Sequence, residues 1–147
     1  MKLISHRGNT DGPSESENEP TQIDFVLNSG FDVEVDIWCI ENIFFLGHDG
    51  PQYQIDYSWF KSRKDSLWIH CKNLCAFEAM TKTNFNYFWH QEDDFTLTNH
   101  GYIWTYPDKK LCQKGIAVMP ELANYNEAEL RNCAGICTDY VFRYGRL

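Results

Sequence analysis

The sequence predicts an α/β fold, a miniature (β/α)8 TIM-type barrel with several outer helices shortened or missing. Three observations point there. The chain has 147 residues, the size of one domain, because a single hydrophobic core organises about 100–150 residues. No internal repeat, low-complexity tract or Pro/Gly-rich linker divides it, so residues 1–147 read as one domain. Short apolar or alternating runs recur between turn signals at 2–6, 32–38, 43–48, 67–71, 86–90, 102–105, 116–119 and 135–139. Eight such strands, alternating with helical segments, are the number that a barrel of this kind uses.

Between the first two strands, PTQIDFVLNSG carries Ile23, Val26 and Leu27 at helical spacing. Asn18 is a candidate N-cap, Pro20 falls in the first turn and Gly30 stands at the stop. Segments 56–66, 73–83 and 124–134 predict shorter helices, each opened by Asp or Asn, whereas EDDFTLTNHG and PDKKLCQKG are too short for a crossover helix. A typical barrel has about 250 residues, so this one is expected to be stripped of outer helices. Such thinning exposes apolar strand faces. Trp38, Trp59 and Trp89 are candidates to cover them, and a second subunit over the thinned side, making a homo-oligomer, is a further hypothesis.

With 43% hydrophobic and 16% aromatic residues the chain has enough apolar material for a packed core. A formal net charge of −8 argues against nucleic acid or an anionic membrane as partner, since both demand surplus Lys and Arg. A phosphate-bearing substrate would then need a metal or a local cation to offset repulsion. MKLISHRG has no apolar signal region and no run of about 18 apolar residues occurs, so the expectation is a soluble, cytoplasmic protein without integral membrane association. The six cysteines read as free, buried thiols rather than a disulfide framework or zinc knuckles.

Chemistry concentrates at strand ends. In GFDVEVDIW the side chains of Asp32, Glu34 and Asp36 fall on one face of a strand and Val33, Val35 and Ile37 on the other. Adjacent carboxylates repel unless a cation lies between them, and a hard divalent ion is the common solution. One of them facing solvent on an edge strand is the plainer alternative. His6 follows the apolar run LIS and precedes Arg7-Gly8; His48 follows IFFLG and precedes Asp49. Two strand-end histidines can divide proton transfer between a nucleophile and a leaving oxygen.

These residues carry a resemblance. HRG at 6–8, EN at 17–18 leading into a helix, EVD at 34–36, GHD at 47–49 and GICTDY at 135–140 together resemble the glycerophosphodiester phosphodiesterases of the phosphatidylinositol-phospholipase-C-like barrel superfamily. The resemblance implies His6 and His48 as the acid/base pair, Arg7 as a phosphate ligand, and Glu34 with Asp36 as metal ligands. Glu17 is a further acidic candidate near the metal. It also implies one divalent ion, Mg or Ca, and a small phosphodiester substrate. The family places a metal-binding Glu in a Glu-x-Lys pattern on the fourth strand, where this chain reads LWIHCKN. His70 therefore occupies the Glu slot as a candidate ligand, Lys72 remains as a phosphate partner, and Mn or Zn enter as alternatives because of the nitrogen donor. His90, Asp93, Trp104, Tyr106 and Glu121 ring the expected mouth without an assigned role. Two other readings stay open: a non-catalytic barrel that binds phosphorylated ligands, and a metal-dependent sugar-phosphate phosphatase on the same scaffold.

Overall fold

The structure, a computed structural model, describes residues 1–145. The chain runs β1 (Lys2–His6), α1 (Pro20–Asn28), β2 (Asp32–Ile40), β3 (Ile43–Leu46), β4 (Tyr53–Ile55), α2 (Tyr57–Lys61), β5 (Leu67–Cys71) and α3 (Leu74–Thr81). It continues through β6 (Tyr87–Phe88), β7 (Phe95–Leu97), β8 (Ile103–Thr105), β9 (Gly115–Val118), a 3₁₀ turn (Pro120–Leu122), α4 (Glu127–Arg131), β10 (Gly135–Thr138) and α5 (Val141–Tyr144). Each of the eight predicted strand segments contains a strand, and β4 and β7 are additional. Both additions are three-residue strands with mixed side chains, too short to leave a periodic trace.

The class is α/β, but the sheet is curled and mixed, and the described strands do not close into a regular (β/α)8 barrel. Seven strands run parallel in the order β6, β5, β2, β1, β10, β9, β8. The segment expected as the third barrel strand is instead β3, which folds back antiparallel on the outer half of β2 and carries β4 on its far side. The tight turn at Glu41 and Asn42, both at positive φ, enforces this reversal. No ladder joins β6 to β8 among the described residues; β7 pairs antiparallel with β8. The gap is spanned by Asn99 N donating to Tyr87 O at 2.9 Å and by the Phe88 and Trp104 rings, 4.6 Å between centroids.

Alternation sorts the side chains into two cores. On the concave face lie Ile4, Trp68, Phe88, Trp104, Ile116, Val118 and Cys137. On the outer face Val33, Val35, Ile37, Leu67 and Ile69 pack with Ile23 and Val26 of α1, Phe60 of α2 and Ala76 and Met80 of α3. A smaller outer cluster joins Ala117 and Ile136 to Leu130 of α4. The predicted helices form, though shorter than expected, with Asn73 capping α3 and Asn126 closing a capping box on α4. Trp59 and Trp89 pack against the outer core, and Trp38 donates to Gly47 O at 2.7 Å, so all three are engaged within the chain. The cysteines carry no disulfide; Cys39, Cys71, Cys133 and Cys137 are buried, while Cys112 is exposed. No described helix is long and apolar enough to cross a membrane.

Candidate functional site

Parallel strands bring their carboxyl ends to one rim. Register aligns His6 with Glu34 across β1 and β2, and Asp36 with His70 across β2 and β5. Asp32, on the same face of β2, lies toward the opposite end, where Lys2 Nζ meets it at 2.9 Å and Trp68 Nε1 donates to it at 3.0 Å. Only Glu34 and Asp36 therefore reach the rim.

Both carboxylates are buried, with side-chain exposures of 2% and 0%. Glu34 Oε2 accepts from the backbone N–H of Arg7 at 3.2 Å. Burial, then repulsion from Asp36, raises the Glu34 pKa above the ordinary carboxylate value. Burial also pushes Asp36 upward, but His70, Arg7 and Lys72 more than offset it and hold the group well below the usual range. Their nitrogens stand 2.9, 3.1 and 3.6 Å from its oxygens. Asn18 clamps the same residue twice: its Nδ2 donates to Asp36 Oδ2 at 3.0 Å and its Oδ1 accepts from Asp36 N at 2.9 Å. The expected N-cap role of Asn18 is not observed, since Glu19 occupies the cap position of α1. The carboxamide, at φ 61°, is turned instead toward the buried charge.

Glu34, Asp36 and His70 each offer a ligand atom, and the three atoms lie within 4.8 Å of one another. Asp36 Oδ1 is buried and accepts no well-formed hydrogen bond among the described residues, with His70 Nδ1 beside it at 2.9 Å and Lys72 Nζ at 3.6 Å. Two carboxylates and an imidazole around an unsatisfied oxygen fit a divalent cation. Glu17 stands apart from this trio. It accepts from Arg7 Nη1 at 3.1 Å and from Asn9 Nδ2 at 2.8 Å, so it orients the guanidinium. Arg7 itself has φ 55°, a left-handed conformation that turns the chain sharply at the end of β1.

His6 Nδ1 lies 2.7 Å from Asp139 Oδ1. A carboxylate only accepts, so the hydrogen is on Nδ1 and Nε2 is left for the cavity. Burial lowers the His6 pKa, but the Asp139 hydrogen bond and the Glu34 charge outweigh it and the net direction is upward. His48 reaches the rim by the β2–β3 hairpin rather than as the end of a parallel strand, with Gly47 N donating to Asp36 O at 3.1 Å. Its Nδ1 is 2.8 Å from Asp49 Oδ1. Partial burial, then the Arg7 charge, lowers the His48 pKa. Gly47 has φ 148°, and a Cβ there would lie 2.1 Å from Gly50 O, so this turn requires glycine.

His6, Arg7, Glu34, His48, His70 and Lys72 line one cavity of about 360 Å³, with Trp104, Tyr106 and His90 on its wall. Burial, then the His70 charge, lowers the pKa of His90. Two other rim candidates lie elsewhere: Asp93 accepts from Gln91 N at 3.2 Å, and Glu121 accepts from Asp139 N at 3.0 Å and Thr138 Oγ1 at 2.8 Å. Asp139 and Asn9 are the main residues that sequence reasoning missed. Asn9 donates to Asp139 Oδ1 at 2.8 Å, and the pairing of Asp139 with His6 arises only when β10 docks beside β1. The Thr-Asp dipeptide at the end of β10 was the available signal. Comparison with known protein families, with curated proteins and with solved structures finds no match for this chain.

Proposed function

We propose that this protein is a metal-dependent phosphodiesterase acting on a small, glycerophosphodiester-like substrate, and that its curled sheet is a reduced form of the phosphodiesterase barrel its motifs resemble. One observation carries the reading. In a chain of net charge −8, two carboxylate-backed histidines, Arg7 and Lys72 converge on one cavity over buried Glu34 and Asp36. Mere binding of a phosphate needs cations; it does not need two histidines on the cavity, one of them with Nδ1 held by Asp139 and Nε2 left for the cavity.

A divalent ion held by Glu34, Asp36 and His70 would act as a Lewis acid on the non-bridging phosphate oxygens. Arg7, oriented by Glu17 and Asp36, and Lys72 would bind the same oxygens and favour the charge that builds in the transition state. The opposite pKa directions divide the histidines: His6 retains a proton to higher pH and His48 loses one at lower pH. His48 would then take a proton from water or a substrate hydroxyl, and His6 would deliver one to the departing alkoxide. Asp139 keeps His6 in the required tautomer and favours its imidazolium form.

The test is turnover of glycerophosphodiesters and a chromogenic bis-phosphodiester with added divalent metal. Hydrolysis that disappears in both His6→Ala and His48→Ala is expected. Phosphate compounds that raise thermal stability in the presence of metal, with no turnover, would favour a binding protein.

A further inference from the structure

We infer that the Glu34–Asp36–His70 centre selects a d-block divalent ion such as Mn²⁺ or Zn²⁺ over Mg²⁺ or Ca²⁺, with His70 Nδ1 as the selecting ligand. The inference rests on the reading above that these residues hold a cation, and is independent of the reaction performed there.

Three separate restraints fix His70. Strand register sets it opposite Asp36. Its ring stacks on Phe88, with centroids 5.1 Å apart and planes 7° from parallel, which fixes the plane of the imidazole. Its Nε2 lies 3.0 Å from His90 O, and a carbonyl oxygen only accepts, so Nε2 carries the hydrogen. A cation entering the trio therefore meets Nδ1, which stands 2.9 Å from Asp36 Oδ1 and 3.7 Å from Glu34 Oε1 and offers its lone pair once the ion displaces any proton there. An imidazole whose far N–H is tied to a backbone carbonyl is the arrangement by which proteins orient metal-binding histidines.

The chemistry of the trio then favours one class of ion. Ca²⁺ takes about six to eight oxygen ligands and Mg²⁺ prefers oxygen in near-octahedral geometry, whereas imidazole suits zinc and the later first-row ions, with Mn²⁺ at the weak end of that series. Local charge acts in the same direction. Arg7 Nε at 3.1 Å and Lys72 Nζ at 3.6 Å already neutralise much of the Asp36 charge on which a hard ion depends. A nitrogen–metal bond is less dependent on that charge.

The experiment is calorimetric titration and equilibrium dialysis of the intact protein with Mn²⁺, Zn²⁺, Mg²⁺ and Ca²⁺ alone, together with imidazole NMR. Mn²⁺ serves alongside Zn²⁺ because free thiols compete for zinc. The expected result is one Mn²⁺ or Zn²⁺ per chain, bound at least about tenfold more tightly than Mg²⁺ or Ca²⁺, with perturbation of the His70 Nδ1 resonance. His70→Ala should weaken Mn²⁺ binding by about 10–100-fold or more, the range set by loss of even an outer-shell partner. His70→Glu should narrow or reverse the Mn²⁺/Mg²⁺ ratio. Equal affinity for Mg²⁺ and Mn²⁺ in the unaltered protein, or an unchanged ratio in folded His70→Glu, overturns the inference. Selective Mn²⁺ binding at His70 in a protein that cleaves no phosphodiester supports the inference while removing the proposed function.

Discussion

Asp139→Asn tests the proposed division of labour between the two histidines without removing either. In the native arrangement Asp139 Oδ1 accepts from His6 Nδ1 at 2.7 Å and from Asn9 Nδ2 at 2.8 Å, while Glu121 holds its backbone N–H. An asparagine of the same shape keeps the volume and one acceptor but loses the charge. Charge-assisted hydrogen bonds contribute about 1.5–3 kcal/mol, and each 1.36 kcal/mol of barrier is tenfold in rate. Loss of that term in the transition state corresponds to a fall in kcat of about 10–150-fold. Outright removal of His6 should cost more than Asp139→Asn does, within the about 10²–10⁴-fold that a general acid or base contributes. The pH profile carries a second signature. In the proposed mechanism the active form has His48 neutral and His6 protonated, so the acid limb of kcat/KM would belong to His48 and the alkaline limb to His6. Without the Asp139 charge the His6 pKa falls from its native position, and the alkaline limb moves to lower pH. Metal-saturated hydrolysis of a chromogenic bis-phosphodiester across pH 5–9 provides both readings. A folded Asp139→Asn protein with native kcat and an unmoved alkaline limb would refute the reasoning.

Other consequences concern stability and positioning. The His6–Asp139 pair should stabilise the fold most between the two ordinary values: the His6 contribution is complete below its unfolded pKa and is lost as pH rises through its raised folded one. The Asp139 contribution is present above its unfolded pKa and is lost as pH falls through its lowered folded one. The melting-temperature difference between native and Asp139→Asn protein should accordingly peak in mildly acidic buffer and shrink toward pH 8; a constant difference contradicts it. Asn18→Ala strips two hydrogen bonds from buried Asp36 and should cost about 1–3 kcal/mol by urea unfolding; an unchanged midpoint would count against the clamp. Gly47→Ala places a Cβ against Gly50 O and should lower both the melting temperature and kcat by displacing His48. Preservation of both would show that the turn tolerates a side chain.

What was legible in the sequence followed from local pattern. Period-two alternation in β2 put Asp32, Glu34 and Asp36 on one face, and the apolar runs marked eight strand segments. Alternation has no knowledge of height along the sheet, so it could not separate Asp32, paired with Lys2 and Trp68, from the two carboxylates at the rim. Strand direction was equally hidden: IFFL reads alike in a parallel strand or a hairpin, and the positive-φ turn at Glu41 and Asn42 decided for the hairpin. Asn18 was misassigned because a carboxamide before a helix satisfies a local cap or a distant charge with the same atoms, and here the buried carboxylate won. The Asp139 contact joins residues 133 positions apart and exists only through the docking of β10 on β1.

The central claim, that this cavity cleaves phosphodiesters by two histidines beside a metal, is met most directly by one measurement. A panel of small phosphodiesters is assayed with Mg, Ca, Mn and Zn on the native protein, His6→Ala and His48→Ala. The account predicts metal-dependent release of one alcohol by the native protein and a loss of about 10²–10⁴-fold or more in each variant. Native-level turnover in both folded variants, or no turnover of any diester with any of the four metals, would contradict it.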